Sequence, residues 1–321
     1  MAVLGKIKKH GGLRLLGNYI RMGLMGEAFR QGLNVVLKRC PLEVAYSRMQ
    51  TKIRPKLKRG YKPLMHNLIS YYKTVKSENC RCRRIWIFWE QGLDKAPEIV
   101  KICHQSVCKH LADYEITTLD AGNLKEFISL PGYIEEKHRK GIIPNAQYSD
   151  LVRLELLTKY GGTWMDATVL CTGGNIPNEM FESDLFLFQR LQKGHNEFLG
   201  ISNWFIHACS NHIILLLLRD MLMEYWKKNN CLMDYFLFHF FFGMIAQEFP
   251  QEIAAIPKID NGFPHYLAMR LGDCYDDRWM QELKKRTSFH KLTYKFDNSM
   301  CCKEGTFYRA IVDNKRGKST K

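Results

Sequence analysis

The chain lacks any stretch long and apolar enough to cross a membrane. Its longest apolar runs, residues 213–218 and 235–246, the second interrupted by His239, fall short of the roughly 20 residues that a transmembrane helix needs. A secretory signal is also missing, because Arg14 and Arg21 interrupt the apolar stretch near the N-terminus. We therefore expect neither a membrane span nor a secretory leader.

The eleven cysteines include no Cys-x-x-Cys pair. Cys80 and Cys82 are separated by one residue, Cys301 and Cys302 are adjacent, and the others are scattered. This pattern argues against a structural zinc site. We expect most of the cysteines to be buried or free thiols in a reducing compartment, which predicts a cytoplasmic protein.

Acidic residues are scarce in the N-terminal quarter of the chain. Residues 1–78 contain 17 lysines and arginines but only Glu27, Glu43 and Glu78 as acids. The segment therefore carries +14 of the net charge of +16, which leaves +2 for residues 79–321. We predict a basic helical arm over residues 1–78 and a globular domain over residues 79–321.

A basic arm can bind an anionic membrane surface, a nucleic acid or an acidic polymer. Leu13, Leu16, Ile20 and Leu24 have near-helical spacing, which favours a helix lying on a membrane surface. The basic cluster at residues 52–59 would add to the attraction of an anionic leaflet. The alternatives are a solvated extension that packs on the body and a nucleic-acid-binding arm. Nothing resembles a zinc finger, an RRM signature or a bZIP heptad run, so no nucleic-acid partner is expected.

The body of the chain begins with an apolar, aromatic run at residues 85–89, which is typical of a buried parallel strand. Residues 114–118 have the pattern of a second short strand, and residues 96–110 and 123–130 have helical patterns. This alternation predicts an α/β fold with helices on both faces of a sheet.

A strong helical pattern over residues 146–160 ends at Gly161-Gly162, where glycine can take the left-handed conformation of a helix cap. Residues 163–168 then predict a strand that carries Asp166 at or near its end. Ligands of α/β sheets bind at the carboxyl ends of strands.

Asp150 and Arg153 lie three residues apart on the helix that precedes this strand. Because that helix ends against the strand of Asp166, we expect two carboxylates and a guanidinium to converge. The alternative is an ordinary ion pair on the helix surface, worth a few tenths of a kcal/mol.

The pattern Asp150-x-x-Arg153 followed by Gly161-Gly162-x-x-x-Asp166 resembles the donor-binding core of nucleotide-sugar-dependent glycosyltransferases with the GT-A fold. It is similar in particular to the capsular polysaccharide synthesis proteins and to glycosyltransferase family 32, and more distantly to the sugar-transferring domains of large clostridial toxins. The resemblance covers roughly residues 84–295. It implies a GT-A-like domain with a Rossmann-like sheet, preceded by an N-terminal helical extension.

The resemblance also implies roles for individual residues. Asp150, Arg153 and Asp166 would form the catalytic group, with Asp166 as the first acid of the DxD signature. Trp89 would stack on the nucleobase, although a place in the core is an alternative for it. The residues expected to bind the donor are Trp89, Gln91, Asp150, Arg153, Asn203, His290 and Lys291.

The resemblance further implies a divalent metal ion, Mn²⁺ or Mg²⁺, bound near Asp166, Thr168 and His290. These ions prefer carboxylate and phosphate oxygens. Thr168 replaces the second acid of the signature, and a neutral hydroxyl is a much poorer ligand than a carboxylate. Three possibilities follow: a metal-dependent enzyme, an enzyme with weak or no metal dependence, and an inactive relative.

We therefore expect a glycosyltransferase that moves a sugar from a nucleotide-sugar donor, UDP-linked, to a growing capsular or other cell-surface glycan. Retention of the anomeric configuration is implied. With a lipid-linked oligosaccharide as acceptor, the enzyme would work as a peripheral protein at the cytoplasmic face of the membrane. The alternative is a non-catalytic binding or scaffold protein of a capsule-synthesis complex.

Overall fold

The computed structural model describes residues 17, 19–78, 81–190, 200–296 and 303–316 of the chain. The β-strands in these residues are β1 (Arg84–Phe88), β2 (Glu115–Leu119), β3 (Gly162–Met165), β4 (Val169–Cys171), β5 (Leu185–Gln189), β6 (Ile201–Ala208) and β7 (Phe289–Lys291). The α-helices are α1 (Met25–Val36), α2 (Leu42–Tyr72), α3 (Glu98–His110), α4 (Leu124–Phe127), α5 (Gly132–Arg139), α6 (Asn145–Tyr160), α7 (Glu179–Glu182), α8 (Ile213–Lys228), α9 (Leu237–Ala246), α10 (Pro250–Ala255), α11 (Phe263–Met269), α12 (Asp277–Arg286) and α13 (Phe307–Arg316).

The chain divides into two compact units, each built from three separate segments. The helical unit comprises residues up to 75, 130–154 and 213–250, and the sheet unit comprises residues 76–129, 155–212 and 251–321. The predicted division into an arm of residues 1–78 and a domain of residues 79–321 stays a prediction. The helices in the described part of that arm belong to the helical unit, together with later segments of the chain.

The sheet unit has a five-stranded sheet in the order β2-β1-β3-β6-β5 and a two-stranded ribbon of β4 and β7. β1 pairs in parallel with β2 and β3, whereas β6 pairs antiparallel with β3 and β5. The α/β class is therefore confirmed, with a mixed sheet.

The continuous apolar run of β1 arises because both faces of this strand are covered. Ile85 and Ile87 belong to the hydrophobic core formed with α3. On the opposite face, the Trp86 ring contacts Tyr160, and its Nε1 donates a hydrogen bond to Gly161 O at 3.0 Å.

The Gly161-Gly162 pair connects the end of α6 to the start of β3. Gly161 and Gly162 have φ angles of +70° and +92°, which confirms the predicted left-handed cap. A Cβ atom on Gly162 would lie 2.6 Å from Arg84 O. Only glycine therefore allows β3 to approach β1 this closely.

The helical unit is organised around α2, which packs on α1, α8 and α9. Its buried side chains recur every fourth residue, at Ala45, Met49, Ile53, Leu57, Tyr61 and Met65. The sequence predicts helix breaks near Pro41 and Pro55. The helix begins directly after Pro41, which confirms the first break, but it continues through Pro55 and Pro63, so the second is wrong. Tertiary burial of the apolar stripe outweighs the loss of two backbone donors.

Helix α1 has an apolar face exposed to solvent. Phe29 and Val36 are 73% and 68% exposed, and Met25, Leu33 and Leu37 are exposed beside them. Of the face predicted from the sequence, Ile20 is exposed and Leu24 is buried, whereas residues 13 and 16 lie outside the described residues. The structure adds exposed apolar side chains further along the chain, within residues 25–37.

No helix within the described ranges is long and apolar enough to cross a membrane. Most cysteines there are free thiols, as predicted, namely Cys40, Cys82, Cys103, Cys108, Cys171, Cys231 and Cys274. Cys209 is buried and disulfide-bonded.

Candidate functional site

Asp166 lies immediately after β3, at the carboxyl end of a central strand. The parallel register of β1 and β3 places Trp86 beside Trp164, so Trp89 and Asp166 follow the ends of adjacent strands. The backbone N–H of Asp166 donates a hydrogen bond to Trp204 O of β6 at 2.8 Å. The predicted position of Asp166 at a carboxyl strand edge is therefore confirmed.

The side chain of Asp166 forms a cluster with Thr168 and Lys291, here called the acid–lysine cluster. The Lys291 ammonium lies 2.9 Å from Asp166 Oδ2 and donates a hydrogen bond to Thr168 Oγ1 at 2.5 Å. The second carboxylate oxygen, Oδ1, accepts a hydrogen bond from Trp164 Nε1 at 2.9 Å. The carboxylate is thus oriented from both sides, while the side chains of Lys291 and Asp166 remain 22% and 24% exposed.

The ribbon of β4 and β7 brings Lys291 to this position. Val169, the first residue of β4, pairs with Lys291, the last residue of β7. One residue further along, Leu292 N donates a hydrogen bond to Thr168 O at 2.9 Å. Since these backbone contacts flank the cluster, its geometry is set by the fold.

Trp89 lies beside an aromatic residue that the sequence did not single out. Its ring meets that of Tyr294 edge to face, with centroids 5.1 Å apart. The Trp89 Nε1 atom is buried and has no hydrogen-bond partner, and Tyr294 is exposed. Stacking of Trp89 on a nucleobase stays a prediction, and Tyr294 adds a second ring at the same place.

Two further predicted donor-binding residues lie near the ends of β3 and β1. Asn203 is in β6, two residues before Phe205, which pairs with Met165 at the end of β3. Gln91 is exposed in the turn after β1, which Gly92 N closes by a hydrogen bond to Trp89 O at 2.9 Å. Both roles stay predictions.

His290 is fully buried in β7. Its Nε2 lies 3.2 Å from Thr172 Oγ1, and its Nδ1 has no hydrogen-bond partner. Burial and, to a smaller extent, the nearby Lys284 ammonium lower the pKa of His290 to about 4. The ring is therefore neutral at pH 7, and neither of its nitrogens is hydrogen-bonded to Asp166.

The residues around Asp166 do not fit a divalent cation. Thr168 offers a neutral hydroxyl, His290 is held at Thr172, and the Lys291 ammonium already contacts Asp166 and Thr168. Within the described part of the chain, no group of three or more His, Cys, Asp and Glu side chains could hold a metal ion. The expected Mn²⁺ or Mg²⁺ stays a prediction that this donor set does not support.

Asp150 and Arg153 belong to the helical unit and form a buried ion pair. Arg153 Nη1 donates a hydrogen bond to Asp150 Oδ1 at 2.6 Å, and the two side chains are 3% and 4% exposed. Arg153 Nη2 also donates to Ser149 Oγ at 3.5 Å. The alternative of an ordinary surface pair is therefore wrong, and the role of the pair in binding the donor stays a prediction.

The sequence did not reveal a second buried ion pair in the helical unit. Arg54 Nε donates a hydrogen bond to Asp234 Oδ2 at 2.8 Å, and Asp234 Oδ1 accepts one from Phe236 N at 2.9 Å. The spacing of 180 residues leaves no local signal of this contact in the sequence.

A known protein family matches most of the chain. A solved structure, the PaToxG glycosyltransferase, aligns with 82% of this chain and 97% of its own, at 15% identity and a TM-score of 0.38. No curated protein sequence matches the chain. The family model described as capsular polysaccharide synthesis protein matches residues 37–311. The match begins well before residue 84, so α2 lies within it. This protein belongs to the capsular polysaccharide synthesis protein family.

Proposed function

We propose that this protein is a glycosyltransferase that moves a sugar from a UDP-linked donor to a growing capsular or other cell-surface glycan, with retention of the anomeric configuration. The family match over residues 37–311 carries the proposal. The acid–lysine cluster at the carboxyl strand edge supports it, because this edge is where α/β sheets bind ligands.

The reaction breaks the bond between the anomeric carbon of the sugar and an oxygen of the diphosphate. The electron pair of that bond goes to the diphosphate, whose negative charge increases. An acceptor hydroxyl oxygen bonds to the anomeric carbon, and its proton is released to the solvent. A fixed cation near the diphosphate oxygen stabilises this charge in the transition state.

The aromatic pair of Trp89 and Tyr294 supports a nucleotide-linked donor. Its edge-to-face arrangement presents flat apolar surface beside the exposed Tyr294, and a nucleobase stacks on such surfaces.

Release of UDP from a panel of UDP-sugars by the purified chain tests the proposal. We expect release with at least one donor, and the substitution Asp166→Asn should lower its rate by about 100-fold or more, because the carboxylate that orients the Lys291 ammonium is lost. The matched control is Asp113→Asn, since Asp113 is exposed in a loop of the sheet unit. This control should keep the wild-type rate.

The competing scaffold function makes the opposite prediction. A chain that releases no UDP from any donor, with or without glycan acceptors, and whose melting temperature does not rise with any donor, would contradict the glycosyltransferase proposal. NMR spectra of the first product formed would report whether the anomeric configuration is retained.

We also propose that the protein works as a peripheral protein at the inner face of the membrane, where α1 contacts anionic lipid. The exposed apolar face of α1, formed by Met25, Phe29, Leu33, Val36 and Leu37, supports this location. Arg21, Lys38 and Arg39 flank it and are exposed. An apolar face bordered by basic residues matches the boundary between acyl chains and anionic headgroups.

The double substitution Phe29→Asp with Val36→Asp should abolish binding to vesicles of phosphatidylcholine and phosphatidylglycerol. Each substitution removes an apolar side chain whose burial contributes about 1.5–3 kcal/mol. The affinity for the vesicles should therefore fall by on the order of 100-fold or more. Cosedimentation with the vesicles measures it. Tyr71→Asp is the control, because Tyr71 is 74% exposed on α2. Unchanged binding of the double variant would contradict the location.

A further inference from the structure

The geometry points to Lys291 as the built-in cation of this site, which takes the place of a divalent metal ion and stabilises the departing diphosphate. The inference rests on the proposed function and names the group that neutralises its leaving group. The Lys291 ammonium lies between two oxygen atoms, Asp166 Oδ2 at 2.9 Å and Thr168 Oγ1 at 2.5 Å.

The Lys291 ammonium has one N–H donor left for a ligand. A lysine ammonium has three N–H donors, and the contacts with Asp166 and Thr168 use two of them. The third can be donated to a phosphate oxygen. With 22% of the side chain exposed, a ligand can reach the ammonium without unfolding the ribbon.

The charge balance explains why Thr168 stands where an acid is expected. A divalent ion held by two carboxylates adds no net charge to a site. An ammonium held by one carboxylate adds no net charge either. A second carboxylate at position 168 would leave the site negative and would repel a diphosphate, so a neutral hydroxyl is the side chain that suits a lysine here.

The fold holds Lys291 in place before any ligand arrives. The pairing of Val169 with Lys291 and the hydrogen bond from Leu292 N to Thr168 O fix its backbone. The orientation of Asp166 by Trp164 Nε1 fixes its counter-ion. A cation that is already positioned stabilises developing charge without reorganising during the reaction.

Binding of UDP, measured by calorimetry in EDTA and in Mn²⁺, tests the inference without requiring turnover. We expect the wild-type chain to bind UDP in EDTA with a dissociation constant within about twofold of that in Mn²⁺. Lys291→Met should weaken binding by about 10- to 100-fold, as expected for a lost hydrogen bond from a charged donor. The control Lys285→Met should bind normally, because Lys285 is exposed and paired with Glu282.

The rate of UDP release from donors distinguishes this inference from the proposed function. Wild-type UDP release should be unaffected by EDTA, and Lys291→Met should lower its rate by about 100- to 1000-fold. UDP binding in EDTA without release from any donor would support the built-in cation and contradict the transferase. The inference would be overturned if the wild-type chain lost UDP binding or UDP release in EDTA. It would also be overturned if the chain bound no UDP in either condition. A folded Lys291→Met variant with wild-type affinity for UDP would overturn it as well. The EDTA comparison uses the unmodified chain and does not depend on how any variant folds.

Discussion

Replacing Arg153 by methionine should lower the free energy of unfolding of the helical unit by about 3–5 kcal/mol. The substitution removes the guanidinium that donates to Asp150 Oδ1 at 2.6 Å and leaves a carboxylate that is 3% exposed. Removing one partner of a buried ion pair is strongly destabilising, because the remaining buried charge loses the compensation that this partner provided. Urea denaturation followed by circular dichroism measures the change.

The pair of Glu27 and Arg30 provides a matched control for this experiment. It has the same order and spacing on a helix of the same unit, but its arginine is 66% exposed. Arg30→Met should therefore cost no more than about 1 kcal/mol. Equal losses from the two substitutions would show that burial does not determine the strength of the Asp150–Arg153 pair.

Acidification from pH 6.5 to pH 4 should destabilise the sheet unit by about 3 kcal/mol for each of two buried histidines. Burial lowers the pKa of His212 to about 4, against an opposing influence of Asp184 and Glu252. Burial and the Lys284 ammonium lower the pKa of His290 to about 4. In the unfolded chain both rings protonate near pH 6.5, so the unfolded state binds more protons throughout this window. The contribution of these two histidines to the free energy of unfolding is therefore fully present above pH 6.5 and is lost as the pH falls towards 4.

The free energy of unfolding at several pH values between 7 and 4 measures this effect. The double substitution His212→Gln with His290→Gln should flatten the profile, whereas His66→Gln should not, because the His66 side chain is 50% exposed. The same acid-induced loss in the double variant and in the wild type would rule out these two histidines as the cause.

The sequence could predict the strand end that carries Asp166 because the signals are local. The apolar run of β1, the helical period of α6 and the Gly161-Gly162 stop all lie within short windows and act through backbone geometry. The contact of Lys291 with Asp166 depends on the three-residue strand β7 pairing with β4. No periodicity can be read from so short a strand, so sequence analysis could propose Lys291 only by resemblance.

The start of α9 differs from the helix that the sequence pattern predicts over residues 231–248. Helix α9 begins only at Leu237. The hydroxyl of Tyr225 donates a hydrogen bond to Cys231 O at 2.7 Å and accepts one from Met233 N at 2.9 Å. These two hydrogen bonds to a side chain of α8 hold residues with helical composition in a turn.

The two prolines inside α2 have a consequence for the order in which the chain folds during synthesis. Each interior proline costs a helix about 3 kcal/mol, so α2 depends on burial of its apolar stripe against α8 and α9. Those helices end at Lys228 and Ala246. The ribosome must therefore reach Ala246 before α2 can bury its apolar stripe against both helices. Strands β1 to β6 lie between α2 and α8 in the chain, so they are synthesised before α2 has these partners.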